Sequence, residues 1–288
     1  MKVLFVVNPA AGVRTRAVLR LLKGLRRVLP FRHELALTTG PGDAQRLAAE
    51  AGRSGYDIVA AVGGDGTVNE VGRGLLTSPR TQLGIVPTGS GNGIARHLRI
   101  PMEPRGAIER LVAAQPQPMD VGYINGSAFF CTAGLGFDAN ISRRFASTRR
   151  RGLVGYARTA LLSYSSYHST PIEIRSGDET LTSNCYVLAF ANASQYGNNV
   201  VIAPNADLAD GRLDVCLIDE MPILRAMRVA YGLAAGDLPR SRAAKFFTSQ
   251  EMDVTAARPI EYHADGDFLG EARTFHVRVE RHGLTVRA

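Results

Sequence analysis

Three glycine-rich turns constrain this chain more than any other feature of its sequence. Each leaves an apolar run of strand length and leads into a helical pattern. Residues 3–7 run into Asn8-Pro9-Ala10-Ala11-Gly12, residues 57–62 into Gly63-Gly64-Asp65-Gly66-Thr67, and residues 82–86 into Pro87-Thr88-Gly89-Ser90-Gly91-Asn92-Gly93. Helical spacing follows the first turn at Ala17, Leu21, Leu22, Leu25, Val28 and Leu29. Further helices are predicted over residues 44–52, 68–76, 92–98 and 104–114, and a strand over 33–38. Such alternation predicts a mostly parallel sheet with helices on both faces. Ligands of these sheets bind at the carboxyl ends of the strands, where the glycine turns stand.

After Pro116-Gln117-Pro118 the texture changes. Short β-rich runs occupy residues 121–124, 128–132, 172–175, 185–191, 213–218, 251–256, 260–263 and 275–279. Turn pairs such as Asn125-Gly126, Ser176-Gly177-Asp178 and Asp210-Gly211 separate several of them. Helical segments are predicted near residues 152–167 and 223–232. The expectation is α/β plus β: an N-terminal doubly wound α/β nucleotide-binding domain over residues 1–120 and a C-terminal β-sandwich domain over 121–274. Residues 275–288 are expected to return to the first domain.

The 288 residues, 45% hydrophobic and 21% charged, are enough for a sizeable core and exclude general disorder. A formal net charge of +8, with arginine supplying nearly all the basic side chains, fits either attraction to an anionic partner or codon usage. Cys131, Cys185 and Cys216 are isolated, so neither a disulfide framework nor a zinc site is indicated, and buried free thiols are expected. The six histidines lack metal-ligand spacing. Asn8-Pro9 interrupts the first apolar run too early for a signal peptide. No run reaches the roughly 18 apolar residues of a membrane span. The expected location is cytoplasmic.

The chemistry concentrates on the turn at residues 63–70. Consecutive glycines let backbone approach a bulky anion, and the helix that follows presents free N–H groups and positive dipole to phosphate. A plain tight turn with a helix cap is the competing reading; the series of fixed residue types at a strand's carboxyl end favours phosphate. Neither a Walker A motif nor a GxGxxG fingerprint is present.

The order Asn-Pro-x-x-Gly, Gly-Gly-Asp-Gly-Thr-x-Asn-Glu, Pro-x-Gly-Ser-Gly-Asn resembles the diacylglycerol kinase catalytic domain family, which includes sphingosine and ceramide kinases. The likeness continues through Met119-Asp120-Val121-Gly122, residues 133–139, residues 203–206, residues 210–214 and Asp265-Gly266-Asp267. It implies an enzyme that uses ATP and Mg²⁺ to phosphorylate a lipid hydroxyl, peripheral to the inner face of the membrane. It assigns nucleotide contacts to Asn8, Thr38, Gly64, Asp65, Gly66, Thr67, Val68, Asn69, Glu70 and Ser90. Asp65 and Asp120 would serve the Mg²⁺–phosphate end, and Asp267 would be the general base. A structural Mg²⁺ site would fall on Asp207, Asp210 and the backbone of Arg212. The oligomeric state stays open, a dimer included.

Two positions depart from the family pattern. Asp267 stands where the family has glutamate, one methylene longer. Gly93 stands where many bacterial members have aspartate, so the turn looks more like the sphingosine-kinase branch. Asp265-Gly266 is also a favoured hairpin pair on its own terms. The basic and apolar stretch from Arg143 to Tyr167 reads either as a membrane-surface element or as a core-facing helix with solvated arginines. The runner-up functions are an NAD kinase-like enzyme and a non-catalytic lipid- or nucleotide-binding protein. A nucleic-acid partner is not expected, because no recognition motif accompanies the positive charge.

Overall fold

The computed structural model describes residues 1–12, 14–24, 31–146, 163–164, 166–197, 200–222, 225–228 and 244–288. The chain divides into two compact units, one formed by Met1–Asp120 with His282–Ala288 and the other by Val121–Arg281.

In the first unit the elements alternate: β1 (Lys2–Val7), α1 (Arg14–Gly24), β2 (Arg32–Leu37), α2 (Asp43–Arg53), β3 (Ile58–Gly63), α3 (Asp65–Leu75), β4 (Gln82–Pro87), α4 (Gly93–His97) and α5 (Pro104–Ala113). The strands pair in parallel in the order β4-β3-β1-β2. β3 is buried throughout and β1 nearly so, which is why both read as unbroken apolar runs. Because β2 and β3 lie on opposite sides of β1, right-handed crossovers send α1 and α2 to opposite faces. α1 packs with α5, and α2 packs with α3. The strand order reverses between β1 and β3, which makes that edge the switch point where doubly wound sheets bind ligands.

The second unit is antiparallel. It contains β5 (Pro116–Ile124, whose last residues belong here), β6 (Ser127–Phe129), β7 (Thr132–Gly136), α6 (Phe137–Ala146), β8 (Thr170–Ser176), β9 (Glu179–Ala191), β10 (Gln195–Gly197), β11 (Val200–Val201), β12 (Leu213–Asp219), β13 (Ala244–Ser249), β14 (Glu251–Ala264) and β15 (Asp267–Arg287). The main ladder runs β13-β12-β9-β7-β14-β15, and β8 also bridges β9 and β14. Inward residues of these strands, among them Phe129, Leu188, Phe190, Val254 and Phe275, form one buried cluster. The end of β15 runs beside β4 in parallel, Val286 opposite Leu83.

The second unit differs from the sequence expectation in several places, among them the unexpected strand β13 and the start of β15 at Asp267 in place of residue 275. Residues 128–132 form no single strand: β6 stops at Phe129 and β7 starts at Thr132, because the intervening N–H groups bond to a carboxylate instead of a strand neighbour. The runs 251–256 and 260–263 are one strand, β14, whose register shifts between Thr255 and Ile260. Helix α6 was not expected as an element: its start falls in the motif at residues 133–139 and its end in the basic stretch that begins at Arg143. Most of the helices expected near 152–167 and 223–232 lie outside the described residues.

All three cysteines are free and buried. Burial pushes the Cys216 thiol up to about 12 and raises Cys185 as well, which leaves both unreactive.

Candidate functional site

Two of the three glycine turns of the first unit, those after β3 and β4, meet backbone to backbone. A Cβ added to Gly89 would sit 2.5 Å from the Cα of Gly64, so no side chain fits there. The strands set this approach: Thr88 N donates to Gly63 O (2.8 Å), and Asn8 N donates to Val62 O (3.0 Å). The Asn8 amide then donates to the Thr67 hydroxyl (3.2 Å), and its carbonyl accepts from Ala10 N (2.9 Å). Thr38 N donates to Val7 O (2.9 Å) at the end of β2. Asn8, Thr38 and the turn at residues 63–70 thus gather at the carboxyl ends of β1, β2 and β3.

Within this gathering the side chains divide by burial. Thr67, Val68 and Asn69 point into the unit and are buried, while Gly66 and Ser90 are exposed. Gly64 is the N-cap of α3 and no side chain caps that helix. Space beside Gly66 is open, since an added Cβ would meet nothing within 4 Å. A helix start with glycine cap, open flank and uncapped N–H groups has the form of an anion cradle.

Asp65 has a second task that local reading missed. Its Oδ2 accepts from Asn92 N (2.7 Å) and its Oδ1 from Gly93 N (2.6 Å), so it caps the short helix α4 across 27 and 28 residues of chain. Asn92 adopts a left-handed conformation there, and its amide donates to Gly89 O (2.8 Å). At position 93 it is the backbone N–H that faces Asp65. Glu70 also reaches across, accepting from Ala44 N (3.0 Å) at the start of α2, whose own N-cap, Gly42, has no side chain to offer. Asp120 is fully buried, and its carboxylate accepts from His282 N (2.7 Å).

In the second unit, Asp267 is exposed at the start of β15, directly after the turn Asp265-Gly266. Both turn residues have positive φ (49° and 86°), the conformation of a two-residue hairpin turn. Asp265 anchors the turn: its carboxylate accepts from Phe130 N (2.9 Å), Cys131 N (2.8 Å) and Thr132 N (3.0 Å). The Asp-Gly pair signalled the turn, but nothing local signalled those three donors.

Asp207 and Asp210 are exposed on one loop, each bent onto the backbone two residues ahead, at Ala209 N (2.9 Å) and Arg212 N (2.8 Å). Burial and the neighbouring Asp210 raise the pKa of Asp214. Carboxylate oxygens are the donors a hard cation takes. Among the described residues no group of three or more His, Cys, Asp or Glu side chains has metal-binding geometry.

Of the stretch from Arg143 to Tyr167, residues 147–162 and 165 lie outside the described residues. Its described end packs inward: Tyr164 and Tyr167 join Phe137 and Tyr186 in an aromatic cluster, with Phe137 and Tyr186 centroids 4.7 Å apart. Arg143 pairs with the buried Glu261 (2.8 Å). No helix among the described residues is long and apolar enough to cross a membrane.

Comparison with known proteins decides the family. The profile described as "Diacylglycerol kinase catalytic domain" matches residues 2–124, and that described as "YegS C-terminal NAD kinase beta sandwich-like domain" matches residues 131–287. The chain belongs to the diacylglycerol kinase-like family of lipid kinases. A Pseudomonas putida relative named "Probable lipid kinase YegS-like" is 31% identical over 243 residues, covering 83% of this chain and 80% of its own. A diacylglycerol kinase from Bacillus anthracis shares the fold at a TM-score of 0.75 and 20% identity, covering 99% of this chain and 96% of that one. An NAD kinase from Archaeoglobus fulgidus, solved in complex with ATP, is more distant at 0.55 and 12%, covering 100% and 94%. Membership makes this lipid kinase-like chain a phosphotransferase with an α/β catalytic unit and a β-sandwich unit.

Proposed function

We propose that this chain transfers the γ-phosphate of ATP to a hydroxyl of a diacylglycerol-like or sphingoid lipid at a membrane surface. The observation that carries the reading is the contact of Gly64 with Gly89 at the carboxyl ends of β3 and β4, beside the uncapped start of α3. Phosphoryl transfer asks a protein for alignment and charge stabilisation more than for covalent chemistry. Backbone N–H groups at residues 64–66 would hold phosphate oxygens, since those of Thr67 and Val68 donate to Gly64 O, while Asn8, through Thr67, holds the turn in shape. The family's ATP use and its lipid acceptors support the choice of substrates.

Asp65, a half-buried carboxylate on the first turn of α3 beside the glycine turns, is the residue proposed to serve the Mg²⁺–phosphate end. Mg²⁺, when bound, neutralises phosphate charge. Asp120, Asp207, Asp210 and the carbonyl of Arg212 complete the proposed acidic set, the last three as a structural site.

Asp267 is the proposed base that accepts the lipid hydroxyl proton. Its exposure, and the hairpin that presents it, support that role. Phe268 beside it is exposed for so large an apolar side chain and suits contact with lipid.

The test is turnover of radiolabelled ATP–Mg²⁺ over vesicles containing diacylglycerol, sphingosine or ceramide, with NAD as a further acceptor. Wild type is expected to label a lipid, and Asp267→Asn to lose turnover. Labelling of NAD alone would replace the reading with an NAD kinase. ATP binding without labelling of any acceptor would leave a non-catalytic binding protein, and full activity in Asp267→Asn would remove the base.

A further inference from the structure

A buried chain of polar side chains ends on the turn that carries Asp267. Gly266 N points at Nδ1 of His263, 3.3 Å away. A backbone amide only donates, so Nδ1 must hold a lone pair and the ring proton must sit on Nε2. That nitrogen lies 3.2 Å from Oδ2 of Asp138, on the first turn of α6. The same oxygen accepts from the Tyr196 hydroxyl (3.2 Å), and Oδ1 accepts from Ala139 N (2.8 Å). His263 and Asp138 are 2% and 6% exposed, so the pair is shielded from water and its order is not an accident of the surface.

The fold makes room for this pair. Gly134 on β7 lies opposite His263 on β14. A Cβ at Gly134 would come 2.2 Å from Oδ2 of Asp138 and 2.9 Å from Nε2 of His263. The glycine and the aspartate of residues 133–139 therefore have one common reason: the first leaves the space that the second shares with His263.

The geometry points to His263 as a positioning residue: oriented by Asp138 and Tyr196, it holds the Gly266 amide and so sets where Asp267 stands. This rests on the reading of Asp267 as the base. Asp265 fixes the turn to β7 from one side, and His263 fixes it from the other. The arrangement requires the neutral Nε2–H tautomer, because a proton on Nδ1 would face the Gly266 N–H donor to donor.

Nitrogen NMR of ¹⁵N-histidine-labelled protein reads the tautomer without a substrate. An Nε2–H ring at His263 is expected, and an Nδ1–H ring would overturn the proposal. Two substitutions then separate the ring's ends. His263→Asn keeps an acceptor near the Nδ1 position, whereas His263→Gln keeps a donor near Nε2 and loses the bond to Gly266. In the folded variants, hydrogen exchange at the Gly266 amide is expected to stay near wild type in His263→Asn and to rise at least about tenfold in His263→Gln.

Turnover should divide the same way. A base misplaced by about 1 Å can cost on the order of a hundredfold in rate. His263→Gln is therefore expected to lose kcat while KM for ATP holds, and His263→Asn to rescue it. Tyr196→Phe, which removes only a hydroxyl, should give a milder loss of kcat. Equal Gly266 exchange in the Asn and Gln variants would sink the positioning role. Asp267→Asn serves as the control: if it abolishes turnover while His263→Gln leaves kcat and Gly266 exchange untouched, positioning fails and the base stands. If Asp267→Asn keeps turnover, the base reading fails first.

Discussion

Replacing Asp65 with asparagine should damage the fold of the first unit as well as turnover. The carboxylate accepts two backbone N–H groups at the start of α4, at 2.7 and 2.6 Å. Asn has one acceptor oxygen, so one bond is lost, the other becomes neutral, and an NH₂ group is turned on a donor. A hydrogen bond to a charged group contributes about 1.5–3 kcal/mol, and a stranded donor costs a similar amount. Asp65 is only half-buried, so water relieves part of this, and about 2 kcal/mol is the expected loss. For a unit of this size that lowers Tm by roughly 6–10 °C. Calorimetry reads the shift, and amide exchange at Asn92 and Gly93 should quicken about thirtyfold if α4 loosens locally. Lost turnover with unchanged Tm and unchanged exchange at both amides would refute the reasoning. Asp65 would then act on phosphate or metal alone, and its bonds to α4 would carry no net stability.

Other consequences are open to direct measurement. Glu70→Ala removes the acceptor at the start of α2 and should cost about 1 kcal/mol, read as a lower urea midpoint at constant slope. An unchanged midpoint would remove its capping role. Asp210→Asn should act in opposite directions with and without Mg²⁺. A carboxylate whose folded pKa lies above its unfolded value, as for Asp214, weakens the fold at neutral pH, and that penalty fades as pH falls toward the folded pKa. Removing the Asp210 charge should therefore raise Tm at pH 7 in EDTA and flatten its rise on mild acidification. The same variant should lose the Tm increase that millimolar Mg²⁺ gives the wild type. A wild-type Tm indifferent to Mg²⁺ would remove the metal from this loop.

Much of the first unit was legible because its signals are local. An apolar run ending in glycine at a helix start declares a strand, a turn and a helix within about a dozen residues, and β1, β3 and β4 with their turns conform. Asp265-Gly266 declared a hairpin in the same way. The second unit was harder. Residues 128–132 looked like one strand, since nothing nearby reveals that a carboxylate 134 residues away takes the N–H of Cys131. Residues 251–263 looked like two strands, since a register shift within one long strand mimics a turn.

The sequence by itself determined the order of the glycine turns, the change from alternating to β-rich texture, and the motif series that marks the family. All are patterns written along the chain at short range, through glycine sterics and apolar spacing. Only the tertiary structure decided what the polar side chains are spent on: Asp65 on the start of α4, Asp265 on three consecutive amides, and Asp138 with His263 on one another across 125 residues. A carboxylate has no periodicity and no propensity that names its partner. Its role is set by which donors the packed strands bring within 3 Å of it, and that is a property of the fold.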